Sequence, residues 1–280
     1  MDDTLARHLA DAADALRRFL ESEAGDVPAL PVPPRPVPPP VQPTAAAPRT
    51  APPAPPEFAR PPLPERPERP VTPAQRPGPS SVPQYGAPFP SAGPDLPEDL
   101  DAIEALVKVC TRCPLHATRT HAVFGEGRRD APTVMFVGEG PGADEDLTGR
   151  PFVGAAGQLL DKMIAAMGLT REECYIANVV KCRPPENATP TPDQAGLCQP
   201  YLEAQIRLLR PKFLVALGAA ASHALTGSTD GVARQRGRVQ RRGDIPLVVT
   251  YHPAALLRNV DYKRPTWADL QLVMARLRNG

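Results

Sequence analysis

Short apolar runs alternate with helical patterns along the C-terminal two thirds of this chain. Thr133-Val-Met-Phe-Val137 reads as a buried strand ending at Gly138, and 156–167 as a helix stopped by Gly168. A second strand follows over 175–180 and a second helix over 192–209. Phe213-Leu-Val-Ala-Leu217 is a third strand, running into Gly218 and an Ala-rich helix through Leu225. Leu247-Val-Val-Thr250 is a fourth, and 266–277 closes the pattern as a helix. Such alternation predicts an α/β domain built on a parallel sheet of four strands with helices on both faces. In sheets of this kind working residues collect in the crevice at the carboxyl ends of the strands.

Near the start the period changes. Residues 2–22 place Leu5, Leu9, Ala12, Ala13, Leu16, Phe19 and Leu20 at helical spacing, opposite Asp, Arg and His. A lone helix of this length is marginal, so the stripe in 1–24 calls for a partner surface, in this domain or another protein.

Composition then separates the two regions. About two thirds of the 40 prolines fall between Pro28 and Pro97, among Ala, Arg, Ser and Gln. Proline removes a backbone donor and fixes φ, and the segment has too little apolar surface to offset the entropy of ordering. Residues 25–97 therefore read as a disordered linker, partly polyproline II, and 98–280 as the globular domain. Net charge is +1, which selects no partner by itself. The segment 234–242 nevertheless holds Arg234, Arg236, Arg238, Arg241 and Arg242, either a phosphate-binding strip or a solvated loop. No apolar run approaches membrane-spanning length and the acidic opening does not resemble a signal peptide, so a cytoplasmic, nucleoid-associated protein is expected.

The chemistry gathers at the predicted sheet edge. GEGPG at 138–142 follows the first strand. Glycines there suit either a backbone cradle for an anion or a plain tight turn. Position 143 is alanine and no GK[ST] follows, which excludes the dinucleotide fingerprint and the P-loop. Glu139 with Asp144-Glu145-Asp146 is acidic, suited to polar readout or to holding water. Asn178 lies within the second strand, where a buried amide requires partners. His252 follows the fourth strand, as a capping residue or a site residue. Phe152 in RPFVG is flanked by Pro151 and Gly154; a loop aromatic of this kind can serve as a stacking platform.

Four cysteines bracket these motifs. Cys110 and Cys113 form a CxxC followed by Pro114, and Cys182 and Cys198 form a second pair. In a reducing compartment such a set grips a metal rather than forming disulfides, and both zinc and an iron–sulfur cluster accept four thiolates. The second pair departs from the usual zinc knuckle and leans toward [4Fe–4S]. Cys174 reads as a small buried hydrophobe.

CxxCPL at 110–115, GEGPG with Glu145-Asp146, TGRPFVGAAGQLL at 148–160, NVVKCRPP at 178–185, Cys198 and HPAALLRN at 252–259 occur together in one order. The set resembles the family 4, iron–sulfur uracil-DNA glycosylases over about 103–277. The resemblance implies a three-layer α/β/α sandwich and a [4Fe–4S] cluster, structural in role, on Cys110, Cys113, Cys182 and Cys198. It implies excision of uracil flipped out of single- or double-stranded DNA. Phe152 would stack on the base and Asn178 would read its O4 and N3. Glu145 would exclude thymine's methyl, and His252 would donate to O2 as charge develops. Gly138, Glu139 and Gly140 would line the pocket, with Glu139 positioning water where better-known relatives carry an aspartate at the place of Gly140. Leu256, Leu257 and Arg258 would wedge into the base stack. A histidine-bearing Arg-rich insertion found in one subgroup is absent after Cys182, so a monofunctional, hydrolytic enzyme is expected. A non-catalytic nucleic-acid binder of the same fold is the alternative. A protein partner is expected to engage residues 1–97.

Overall fold

The computed structural model describes residues 95–279. The helix expected over 2–22 lies outside the described residues, as does the Pro-rich linker apart from its last three positions.

Helix α1 (Leu100–Lys108) starts where Asp99 accepts a hydrogen bond from Ala102 N, and it buries Ile103 and Val107, one turn apart. The sheet is built from β1 (Glu126–Gly127), β2 (Val134–Gly138), β3 (Cys174–Asn178), β4 (Leu214–Leu217), β5 (Val239–Arg242) and β6 (Ile245–Thr250). Their order is β1-β3-β2-β4-β6-β5. The central four, β3-β2-β4-β6, are parallel, as the sequence predicts; β1 and β5 add short antiparallel edges to them. Every residue of β2, β3 and β4 is buried, in keeping with strands covered on both faces.

Alternate strand residues feed two cores. On one face Met135, Val137, Tyr175, Ala177, Leu214 and Ala216 meet α1, α4 (Pro192–Leu209) and α5 (Gly218–Thr226). On the other, Val134, Phe136, Ile176, Val215 and Val248 meet α3 (Ala155–Ala166), α7 (Pro253–Arg258) and α8 (Lys263–Asn279). This is a three-layer α/β/α sandwich. Trp267 of α8 belongs to the second core, as does Cys174, whose thiol burial pushes up to about 12. Of two short helices, α2 (Ala143–Thr148) follows the GEGPG turn and α6 (Val232–Gln235) precedes β5. Among the described residues no helix is long and apolar enough to cross a membrane.

Register decides where the sequence motifs go. Gly138 pairs with Asn178, Val137 with Ala216, and Leu217 with Thr250. The carboxyl ends of all four central strands are therefore level. The GEGPG turn, Asn178, Gly218 and His252 leave the sheet along one edge.

The edge strands were not foreseen, and β5 recasts the arginine segment. Arg236 pairs with Asp269, itself fully buried, through Nε and Nη2 at 2.9 and 3.0 Å. Arg242 bonds Glu203 and the carbonyls of Ala224 and Leu225. These two arginines hold elements of the fold together and are not available as phosphate contacts. Arg234, Arg238 and Arg241 stay exposed.

Candidate active site

The level strand ends open into a cleft of about 810 Å³ lined by Glu139, Gly140, Glu145, Phe152, Asn178, His252 and Arg258, among others. Small-molecule sites span roughly 300–1,000 Å³. Residues from four separate motifs thus share one cavity; Gly138, expected to line it with Glu139 and Gly140, lies instead against Asn178 and the Phe152 ring and is not part of the lining.

Asn178 ends β3 on the cleft floor with 1 % exposure. Its Oδ1 is buried and has no hydrogen-bond partner among the described residues. Such an atom costs about 1–3 kcal/mol unless a ligand satisfies it. The strand stops here, two residues short of the sequence expectation. Val179 N and Val180 N instead donate to the carbonyls of Gly138 and Glu139, which ties the turn after β3 to the GEGPG loop. Gly138 must be glycine for a local reason: a Cβ there would collide with Asn178 Oδ1 and the Phe152 ring.

Phe152 sits above that floor with its ring centroid 5.5 Å from the His252 ring. Its φ is 52°, a left-handed conformation that costs a non-glycine residue on the order of 1 kcal/mol or more. Two side chains hold the loop in it. Arg171 donates to the carbonyls of Pro151 and Phe152, while Glu145 Oε1 accepts from Val153 N at 2.8 Å and Gly154 N at 3.0 Å. Glu145 Oε2 also accepts from Gly142 N at 3.0 Å. Glu145 therefore joins the GEGPG turn to the RPFVG loop, a role the sequence did not disclose. Arg171 was missed entirely, since nothing in its local pattern separates it from a surface arginine.

His252 caps α7, and its Nδ1 accepts a hydrogen bond from Ala254 N at 3.1 Å. A neutral ring accepting at Nδ1 carries its proton on Nε2. Burial pushes the imidazole down to about 4, and the Arg258 guanidinium adds to the effect, so the ring is neutral at physiological pH. Gly218, at φ +88°, passes beneath it; a Cβ there would lie 3.1 Å from His252 Cβ. Burial also raises the Glu139 carboxyl, against a hydrogen bond from Thr189 and the Arg258 charge.

Helix α7 divides the three residues expected to wedge DNA. Leu256 is fully buried in the core against α3 and cannot reach a base stack; Leu257 is 44 % exposed, and Arg258 is exposed. The LLR run has the spacing of a helix, and only one of its faces points outward.

Residues 124–271 match the family model of the uracil DNA glycosylase superfamily. The chain belongs to this family. It is 48 % identical over 164 residues to the type-4 uracil-DNA glycosylase of Thermotoga maritima, covering 58 % of this chain and 85 % of the relative. Identity to the type-4 uracil-DNA glycosylase of Archaeoglobus fulgidus is 45 % over 184 residues, covering 63 % and 92 %. The type-5 uracil-DNA glycosylase of Pyrobaculum aerophilum is more distant, at 31 % over 209 residues covering 63 % and 90 %. The family frame therefore fits the type-4 branch, to which the sequence motifs also pointed.

Beside the cleft, Cys110, Cys113, Cys182 and Cys198 line a second, smaller cavity with Val107, Leu197 and Tyr201. Among the described residues no group of three metal-ligating side chains closes on a single ion. The donor set itself fits a thiolate-held centre. Burial pushes Cys198 up to about 12 and raises Cys182, so these thiols stay protonated unless a cationic centre offsets the burial. Arg119 Nη1 donates to Cys182 Sγ at 3.0 Å, and the Tyr201 hydroxyl to Cys110 Sγ at 3.4 Å. Between the two cavities stands Lys181, fully buried, with Nζ donating to Asn178 O at 2.8 Å and Gln205 Oε1 at 2.6 Å.

Proposed function

We propose that this chain excises uracil from DNA by hydrolysis of the N-glycosidic bond, leaving an abasic site. The observation that carries the reading is the unpartnered Oδ1 of Asn178 on the floor of the cleft. Uracil offers a donor at N3–H and an acceptor at O4, which an amide oxygen and amide nitrogen match together. Cytosine reverses both groups, leaving the amide unpaired and the base rejected. A uracil buried in duplex DNA cannot reach that floor, so the nucleotide must be flipped out. Phe152 would lie against the flipped ring. Glu145 would bar a methyl at C5, because three backbone donors keep its carboxylate from swinging aside.

Cleavage leaves negative charge on the departing base. His252 Nε2–H would donate to O2, where that charge grows, and a neutral donor strengthens its bond without having to lose a counterion. Glu139 would position the attacking water. Its raised carboxyl makes it a stronger base at neutral pH than an exposed glutamate. Leu257 and Arg258 would fill the gap in the base stack, and Arg234, Arg238 and Arg241 would offer phosphate contacts without sequence preference.

Cys110, Cys113, Cys182 and Cys198 would hold a [4Fe–4S] cluster. When bound it supplies a structural tie and takes no part in base cleavage. Recruitment of a protein partner through residues 1–97 belongs to the same proposal and rests on composition.

The test is uracil release from single-stranded, U:G and U:A oligonucleotides in a buffer without added metal, alongside iron analysis of the purified full chain. Release on all three supports the enzyme reading. Tight binding without release would instead leave a non-catalytic DNA binder.

A further inference from the structure

Past His252 the cleft continues to a feature that base reading and bond cleavage leave unused. Tyr251 and Tyr262 both line the cavity, and their rings stack at 4.2 Å between centroids with an interplanar angle of 11°. Both are partly exposed rather than sealed in the core. The Arg236 guanidinium lies over the Tyr251 ring at 5.9 Å. That arginine is anchored: Asp269 grips it bidentately while also accepting from Thr250 Oγ1 at 2.7 Å and Gly237 N at 2.9 Å. Tyr251 thus has a cation and a second ring against it, and the cation is clamped in the fold. Tyr251 precedes His252 directly, and Tyr262 follows α7, which carries Leu257 and Arg258.

From this arrangement we infer that Tyr262, backed by Tyr251 and Arg236, is a stacking subsite for the nucleobase next to the flipped uracil on the same strand. The inference rests on the proposed uracil-DNA reading. Aromatic rings take any base by its π-face, so the subsite recognises a nucleobase without choosing among sequences. Its place beside His252 puts it within one nucleotide of the pocket, and its preorganisation spares the ordering of a side chain on binding. A neighbouring base held there would fix the strand on the side from which the uracil enters. The benefit falls on binding and is greatest on single strands, where no opposite strand keeps the neighbour in place.

The experiment compares single-stranded oligonucleotides carrying one uracil, with the adjacent bases present or with either neighbour replaced by an abasic analogue. Tyr262→Leu keeps the apolar packing and removes the flat ring; Tyr262→Phe keeps the ring. On the intact oligonucleotide Tyr262→Leu should raise KM about tenfold with kcat little changed, and Tyr262→Phe should stay near wild type. On the oligonucleotide lacking the stacked neighbour, wild type should itself weaken and the Leu variant should weaken no further. An unchanged KM for Tyr262→Leu, or an equal loss on the intact and abasic-flanked strands, overturns the subsite. Fluorescence-anisotropy binding of the same set reads the same comparison without catalysis. A chain that discriminates in binding yet releases no uracil thus refutes the activity alone.

Discussion

The two cavities at either end of residues 178–182 treat their polar atoms in opposite ways. In the cysteine cavity, two of the four sulfurs receive donors from the protein, Arg119 on Cys182 and Tyr201 on Cys110. In the cleft, Asn178 Oδ1 has no partner among the described residues, and His252 uses Nδ1 to accept from Ala254 N, which puts its proton on Nε2. Inward satisfaction suits a resident group; unmet capacity suits a ligand that arrives and leaves. Lys181 stands at the boundary, anchoring the carbonyl of Asn178 while lying one residue from Cys182. The strand exit is thus shared, and disturbing one cavity should be felt in the other less than in itself.

Asn178→Asp should give the largest break in that contrast. It removes the donor for O4 and puts a carboxylate beside a base that becomes anionic. Uracil release should fall by about 10⁴-fold. The fold should be retained, with Tm lowered only by the cost of a carboxyl group at a position 1 % exposed, so the loss is read on folded enzyme. A variant retaining more than a tenth of wild-type activity would remove Asn178 from base reading. Next in size is His252→Ala, with kcat down by about 10²–10³ and KM changed much less, since the donor acts mainly as charge develops. Single-turnover kinetics separates the two constants; a loss confined to KM would make His252 a binding residue.

Cys198→Ala tests the other side. Iron content should drop from about four per chain to near zero, with Tm lower by on the order of 10 °C, since a lost metal tie is a folding loss. Excision by whatever fraction remains folded should be reduced far less than by Asn178→Asp. Full retention of iron would show that the four cysteines are not its ligands.

How much of this was legible follows from the range of the interactions. The four parallel strands announce themselves because each is a continuous apolar run, and the crevice follows from strand order without any side-chain detail. Asn178, His252 and Phe152 stand out as residue types that sit uneasily in their local pattern. The edge strands β1 and β5 do not stand out, being short and polar, with pairing set by partners distant in sequence. Leu256 shows the limit of a motif: three adjacent residues cannot share one face of a helix, so the core claims one of them. Glu145 and Arg171 act by holding the backbone of a loop at positive φ, and no side-chain pattern encodes backbone N–H groups or carbonyls as partners. Arg236 and Arg242 were masked by their neighbours, since a run of arginines looks alike until Asp269 and Glu203 arrive from other elements. For α1 a signal existed, in Asp99 as N-cap ahead of Ile103 and Val107.

The smallest expected effect concerns pH, and its sign separates burial from simple ion pairing at His252. Its imidazole is held down to about 4 in the folded chain, against an ordinary 6.5. The folded state therefore stays unprotonated at this site between those values while the unfolded chain takes up a proton. The site's contribution to stability is full above about pH 6.5 and is lost progressively as pH falls toward 4. Activity should follow a different curve, because the neutral ring persists on the folded enzyme: kcat should show no loss from His252 protonation between pH 8 and about pH 5. Arg258→Gln removes the cation beside the ring and should move the acid limb of kcat upward, by a fraction of the total shift, because burial is the larger cause. Denaturation midpoints across pH 4–7, measured beside single-turnover rates, check both. An acid limb near pH 6.5 that persists in Glu139→Gln, whose own carboxyl is raised by burial, would mean that the imidazole is solvated and that the neutral-donor role is lost with it.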